Sequence, residues 1–132
     1  MIDLGHWQTQ VDVPEEPFGF VYCITNLTND RKYIGKKQMT SIIKRPPLKG
    51  KKRRRLCTKE TDWRTYTSSS NQLNDDIKKE GMDNFKFEII SFHNSKSALG
   101  YYEAKLQFDL DVLLTESYYN GIINMRIGKI KL

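Results

Sequence analysis

The stretch from Phe18 to Gly35, FGFVYCITNLTNDRKYIG, limits the fold more than any other part of the chain. Phe18 to Thr25 is a run of aromatic and β-branched residues, the composition of a strand. Asn26 to Asp30, NLTND, is turn chemistry, and Arg31 to Gly35 reads as a second short strand. Together they predict a β-hairpin. Each strand carries one tyrosine, Tyr22 and Tyr33, eleven residues apart. By local physics alone these are ordinary strand aromatics.

The remaining segments add one strand and two helices. In NFKFEIISF, Phe85, Phe87 and Ile89 alternate and place one face of a third strand in a core. SSSNQLNDDIKKEGM supplies a serine N-cap, a short helix carrying Leu73 and Ile77, and a stop at Gly81. SKSALGYYEAKLQFDLDVLL is the longest helical signal, with Leu99, Tyr102, Leu106, Leu110 and Leu113 expected to form one buried stripe. Glu103 falls inside that stripe, between Leu110 and Leu114 in projection. A carboxylate there needs a metal, an Arg or a Lys over it, or it sits at the margin and reaches solvent. Residues 1–17 read as an irregular arm. Residues 36–62 lack an apolar period and contain RPPLKGKKRRR, which reads as a long basic loop. A single domain over 18–132 is expected.

The chain has 132 residues, 38% hydrophobic and 29% charged, which suits one soluble globular domain. It holds no apolar run near the roughly 18 residues of a membrane span, and MIDLGHWQTQ is not a signal peptide, so a cytoplasmic protein without a membrane partner is expected. Cys23 and Cys57 make no disulfide framework, and with His6 and His93 they make no zinc spacing. The net charge of +6 conceals an asymmetry. Twelve of the 22 basic residues lie in 31–55 with no acid among them, and the other ten face sixteen acids, a balance of −6. Such a block points to one polyanion-binding face, and nucleic acid suits it better than acidic lipid because the block is not an amphipathic helix.

Hydrolysis of a phosphodiester requires an activated water, neutralised phosphate charge and a stabilised leaving oxygen. A hard divalent cation on one carboxylate serves the last two. A tyrosine acts as a base only where its pKa is lowered. The residues that meet these needs also carry a resemblance. Phe20-Val21-Tyr22 and Tyr33-Ile34-Gly35 resemble the two halves of the GIY-YIG nuclease signature, with Asn26 four residues after the first tyrosine. DWRTYTSSSNQLNDDIKKEG, FKFEII, a helix with Glu103 and then YYNG follow in the family's order, over residues 18–126. The likeness is nearest to phage-encoded, seg-type homing endonuclease relatives.

The resemblance implies an α+β fold, a three-stranded antiparallel sheet flanked by helices. It implies that Tyr22 and Tyr33 order and deprotonate water, that Glu103 holds Mg²⁺ or Mn²⁺, and that Asn120, or else Asn124, braces the site. The family's phosphate-binding arginine corresponds to Arg64 first and Arg55 second, with Lys36 and Lys37 as further phosphate ligands. Lys44, Arg45, Lys49, Lys51, Lys52, Arg53, Arg54 and Arg55 are expected to bind DNA, double-stranded by preference. Three departures stand out: the glycine of the first half-motif is shifted to Gly19, the basic stretch is long, and little sequence follows the Asn. The last implies modest sequence preference without a separate DNA-binding domain. The expected function is a metal-dependent DNA endonuclease, acting in a bacterial host's cytoplasm if phage-encoded, with a homodimer serving double-strand cleavage. Two other readings stand beside it: an inactive nucleic-acid-binding accessory protein on the same fold, and a protein-interaction module using the basic stretch.

Overall fold

The structure, a computed structural model, describes residues 2–130. The expected hairpin forms from β2 (Gly19–Asn26) and β3 (Lys32–Gln38), antiparallel, with Tyr22 opposite Gly35 and Ile24 opposite Tyr33. The third strand, β6 (Phe85–His93), pairs antiparallel with the other edge of β2. These three strands are the expected sheet. A short β1 (Gln8–Thr9) adds a fourth, parallel to β6, in the order β1-β6-β2-β3. The arm at 1–17 is therefore not wholly irregular. Trp7 anchors it, 4% exposed, its indole N–H donating to the Trp63 carbonyl at 2.6 Å.

Every residue of β2 is buried, because helices or loops cover both faces of this central strand. On one face Phe20, Tyr22 and Ile24 pack with Trp7, Trp63 and the α1 (Asn71–Glu80) residues Leu73 and Ile77. On the other, Val21 and Cys23 pack with Ile34, Leu99 of α2 (Lys96–Asp109) and Val112. The Ser70 hydroxyl caps α1 by accepting from the Leu73 amide, and Gly81 ends it at φ +91°.

Two expectations are corrected. The stretch 36–62 is not a loop. β3 runs on to Gln38, and β4 (Thr40–Arg45) and β5 (Arg55–Glu60) form a separate two-stranded antiparallel ribbon. Its strands show no hydrophobic alternation because neither face is buried. The leucine stripe is also shorter than the period implies. The α2 helix ends at Asp109 and Asp111 takes φ +52°, so the following residues leave the helical phase. Leu99 is buried and Leu106 partly so, but Tyr102, Leu110 and Leu113 are 40–45% exposed, and Val112 turns inward instead.

Candidate active site

The two signature tyrosines meet over a glycine. Tyr22 and Gly35 are cross-strand partners, and the Tyr22 ring lies across the β3 backbone. A Cβ on Gly35 would stand 2.5 Å from the Tyr22 hydroxyl oxygen and 2.9 Å from Cε2 of Tyr33. Glycine is thus required by close approach, since its own φ is unremarkable. The rings of Tyr22 and Tyr33 are 6.2 Å apart, and Tyr66 stands edge-on to Tyr22 at the same separation. The pairing of β2 with β6 shifts register between Val21 and Tyr22, so that Val21 faces Ser91 and Tyr22 faces Ile89. The extra residue, Ile90, is a bulge beside the tyrosine, a device that re-aims a side chain where a regular ladder would not. The first half-motif's displaced glycine also has a packing cause. A Cβ at Gly19 would meet the Lys37 carbonyl at 2.6 Å and Leu99 Cδ2 at 2.7 Å.

The outer edge of β3 is closed residue by residue. Lys32 exchanges backbone hydrogen bonds with Ser117 and Tyr119. At Ile34 the Asn120 side chain substitutes for a strand: its Oδ1 accepts the Ile34 N–H at 3.0 Å and its Nδ2 donates to the Ile34 carbonyl at 2.8 Å. Gln107 of α2 donates to the same carbonyl at 2.9 Å, while its own Oε1 is buried without a partner among the described residues. One helical turn before Gln107, Glu103 faces Lys36, the next outward-facing residue of β3, with 3.9 Å between carboxylate and ammonium. The spacing i, i+4 on α2 therefore matches i, i+2 on β3, and this docks the carboxylate beside the second half-motif.

Glu103 is 13% exposed at the side chain, and burial raises its pKa above the ordinary 4.5. The Lys36 ammonium and backbone amide pull the other way but do not overcome burial. At 3.9 Å, with Lys36 41% exposed, that ion pair is a weak one. Burial likewise raises Tyr33 and takes Tyr22 well above 10, with the neighbouring phenols and the Glu103 charge adding to the rise at Tyr22. In the free protein both are neutral phenols, not bases. Tyr33 is the more open of the two, and its hydroxyl lies 3.4 Å from that of Ser69, just before α1.

Arg64 lies elsewhere. Its guanidinium bonds Glu60 and donates to the Asp3 carbonyl, stacked over Trp63. Arg55 begins β5 on the ribbon and donates to the Pro46 carbonyl. Neither has a described bond to the tyrosines or to Glu103. Lys36 faces Glu103, and Lys37 lies 2.9 Å from Asp62 and 4.1 Å above the ring of Tyr66, the neighbour of Tyr22. Asn26, fully buried, donates to Glu80 and Tyr119, tying the hairpin turn to α1 and the tail. By sequence, Tyr66 reads as a core cap or a base-stacking ring and Ser69 as one of the helix-start serines, neither as a neighbour of the signature tyrosines; Gln107 went unread. The signal for Gln107 was its place as a polar residue one turn from Glu103.

Among the described residues no cluster of three or more His, Cys, Asp or Glu could hold a metal. A single partly buried carboxylate, Glu103, still fits a hard cation that keeps most of its waters. The described residues include no helix long and apolar enough to cross a membrane. The chain matches, over residues 5–123, the family model SegE_GIY-YIG, described as "Putative endonuclease segE, GIY-YIG domain". No curated protein and no solved structure matches it.

Proposed function

We propose that this chain, which belongs to the segE-type GIY-YIG domain family, is a divalent-metal-dependent DNA endonuclease that hydrolyses phosphodiester bonds at the β3 edge. One observation carries the reading: two phenols converge over Gly35 while α2 brings one partly buried carboxylate, Glu103, to the adjacent residue of the same strand. A partly buried glutamate without a strong partner costs free energy, which is tolerable where a ligand cation relieves it.

Glu103 would hold Mg²⁺, or Mn²⁺, in place of its weak pairing with Lys36. When bound, the cation supplies charge neutralisation at the phosphate and the leaving oxygen. Tyr33, the more open phenol, hydrogen bonds and orients the attacking water. Tyr22, nearly enclosed, fixes the Tyr33 ring and the shape of the pocket. Deprotonation by either phenol requires added positive charge, since burial alone holds both protons on. Lys36 and Lys37 take up phosphate charge, and Asn120 holds the strand that carries the second half-motif. Arg64 would join them only by leaving Glu60.

The binding-only reading on the same fold has one observation in its favour: Lys36 already faces Glu103 and the phenols are held neutral. Supercoiled plasmid with Mg²⁺ separates the two. Nicking by wild type, lost in Glu103→Ala and in Tyr33→Phe, is the expected result. An intact plasmid with wild type across Mg²⁺ and Mn²⁺ would leave binding alone.

A further inference from the structure

The β4–β5 ribbon is an unusual object to leave in water. Six cross-strand pairs run from Thr40 opposite Glu60 to Arg45 opposite Arg55, and among the described residues its only extensive pairing is between its own two strands. The base is held where the Thr61 hydroxyl donates to the Gln38 carbonyl at 2.7 Å and the Thr61 amide to Met39. Beyond that base, residues 44–55 hold eight cations, no acid and no aromatic ring. Ile42 and Leu56 share one face and are each 68% exposed. A lone two-stranded ribbon is marginal in water, and like charges at its tip oppose it further. A polyanion that also covers the apolar face removes both penalties.

We propose that this ribbon enters the major groove of B-form duplex DNA and gives the protein its sequence preference. The idea rests on the reading of the chain as a DNA-directed enzyme, and goes beyond the expected phosphate grip with modest sequence preference. Dimensions favour it. Six-residue strands span about 20 Å, the two strands lie about 5 Å apart, and a groove about 12 Å wide admits such a ribbon. Chemistry narrows the partner. Single strands are held by stacking on aromatic rings, and the ribbon has none. Duplex RNA has a major groove too narrow to enter. Ile42 and Leu56 suit thymine methyl groups, while the arginines at 53–55 suit phosphates and guanine edges.

The test is equilibrium binding of the full chain, in EDTA so that nothing is cut, to a fluorescent DNA duplex, its single strand and the matching RNA duplex. Duplex DNA is expected to bind about tenfold or more tightly than either other form, and to be displaced by the major-groove ligand methyl green but not by the minor-groove ligand netropsin. Replacing Arg53, Arg54 and Arg55 together by Ala should flatten the log–log salt slope by roughly 2 to 3. The Ile42→Ser/Leu56→Ser double variant should weaken duplex binding several-fold and narrow the gap between sequences while leaving that slope unchanged. Both variants alter exposed residues, and circular dichroism checks their fold. Equal binding of the single strand or of RNA, displacement by netropsin, an unchanged salt slope, or no binding at all would overturn the inference. It can fail separately from the catalytic reading. A plasmid left intact in Mg²⁺ by a chain that shows the groove-binding pattern sinks only the catalysis. Cutting by the triple variant with unchanged KM sinks only the ribbon.

Discussion

Gly35 and Glu103 show how single atoms set the site. Gly35 has no side chain because the Tyr22 hydroxyl occupies that space, so Gly35→Ala forces the phenol or the strand to move. Overpacking of this kind costs about 1–3 kcal/mol. Urea unfolding should show that loss, and plasmid nicking should fall with it. A variant as stable and as active as wild type would mean that the phenol can swing away without consequence. Glu103 gives a pH signature. Its folded pKa lies above 4.5, so the folded state holds the proton where the unfolded state has released it. Stability therefore falls as pH rises from 4.5 through the raised value. Glu103→Gln removes the loss. It should unfold at higher urea than wild type at about pH 7 and match it at about pH 4, while failing to cut. A variant less stable at neutral pH would show that Lys36, and not burial, governs the carboxylate.

At the scale of elements, the arm and the α2 helix decide how rigid the sheet is. Trp7 fills the core beneath Phe20, Tyr22 and Phe87, with ring separations of 5.0–5.6 Å, and its indole closes onto the Trp63 turn. Trp7→Ala should cost about 3–5 kcal/mol, the range for a buried aromatic truncated to Ala, measured by denaturant titration. A loss below about 1 kcal/mol would mean that the arm is docked without supporting Tyr22. Loss of nicking together with stability would tie the arm to the site. The α2 helix matters differently, since Glu103 and Gln107 grip alternate residues of β3. The helix that carries the carboxylate is thereby indexed to the strand that carries Tyr33.

For the whole molecule, charge and site number govern behaviour. Twelve cations in 31–55 stand against a remainder of −6, so the positive charge is concentrated on β3 and the ribbon. A single chain has one Glu103 and one pair of signature tyrosines. At low protein concentration, nicked circles should therefore accumulate before linear plasmid, with nicking first order in protein. Linear product appearing without a nicked intermediate would indicate two copies acting together.

The sequence by itself determined the hairpin, the third strand and both helix starts, and it singled out Tyr22, Tyr33, Glu103 and Asn120, which the fold brings together around β3. Local turn chemistry, β-branched runs and serine caps act over a few residues, and the order of the motifs identified the family. Tertiary structure decided the rest. Residues 36–62 gave no strand signal because a ribbon buried on neither face needs no alternation. Trp7 joined the core because a cleft between β6 and the Trp63 turn received it, a long-range event that no local pattern announces. The leucine period of α2 was followed past a helix end that Asp111 sets at φ +52°. Arg64 was drawn to Glu60 and the Asp3 carbonyl, and Gln107 to Ile34, by partners far away along the chain or one turn off in space. Sequence spacing fixes which residues can share a face. Only packing fixes which of them touch.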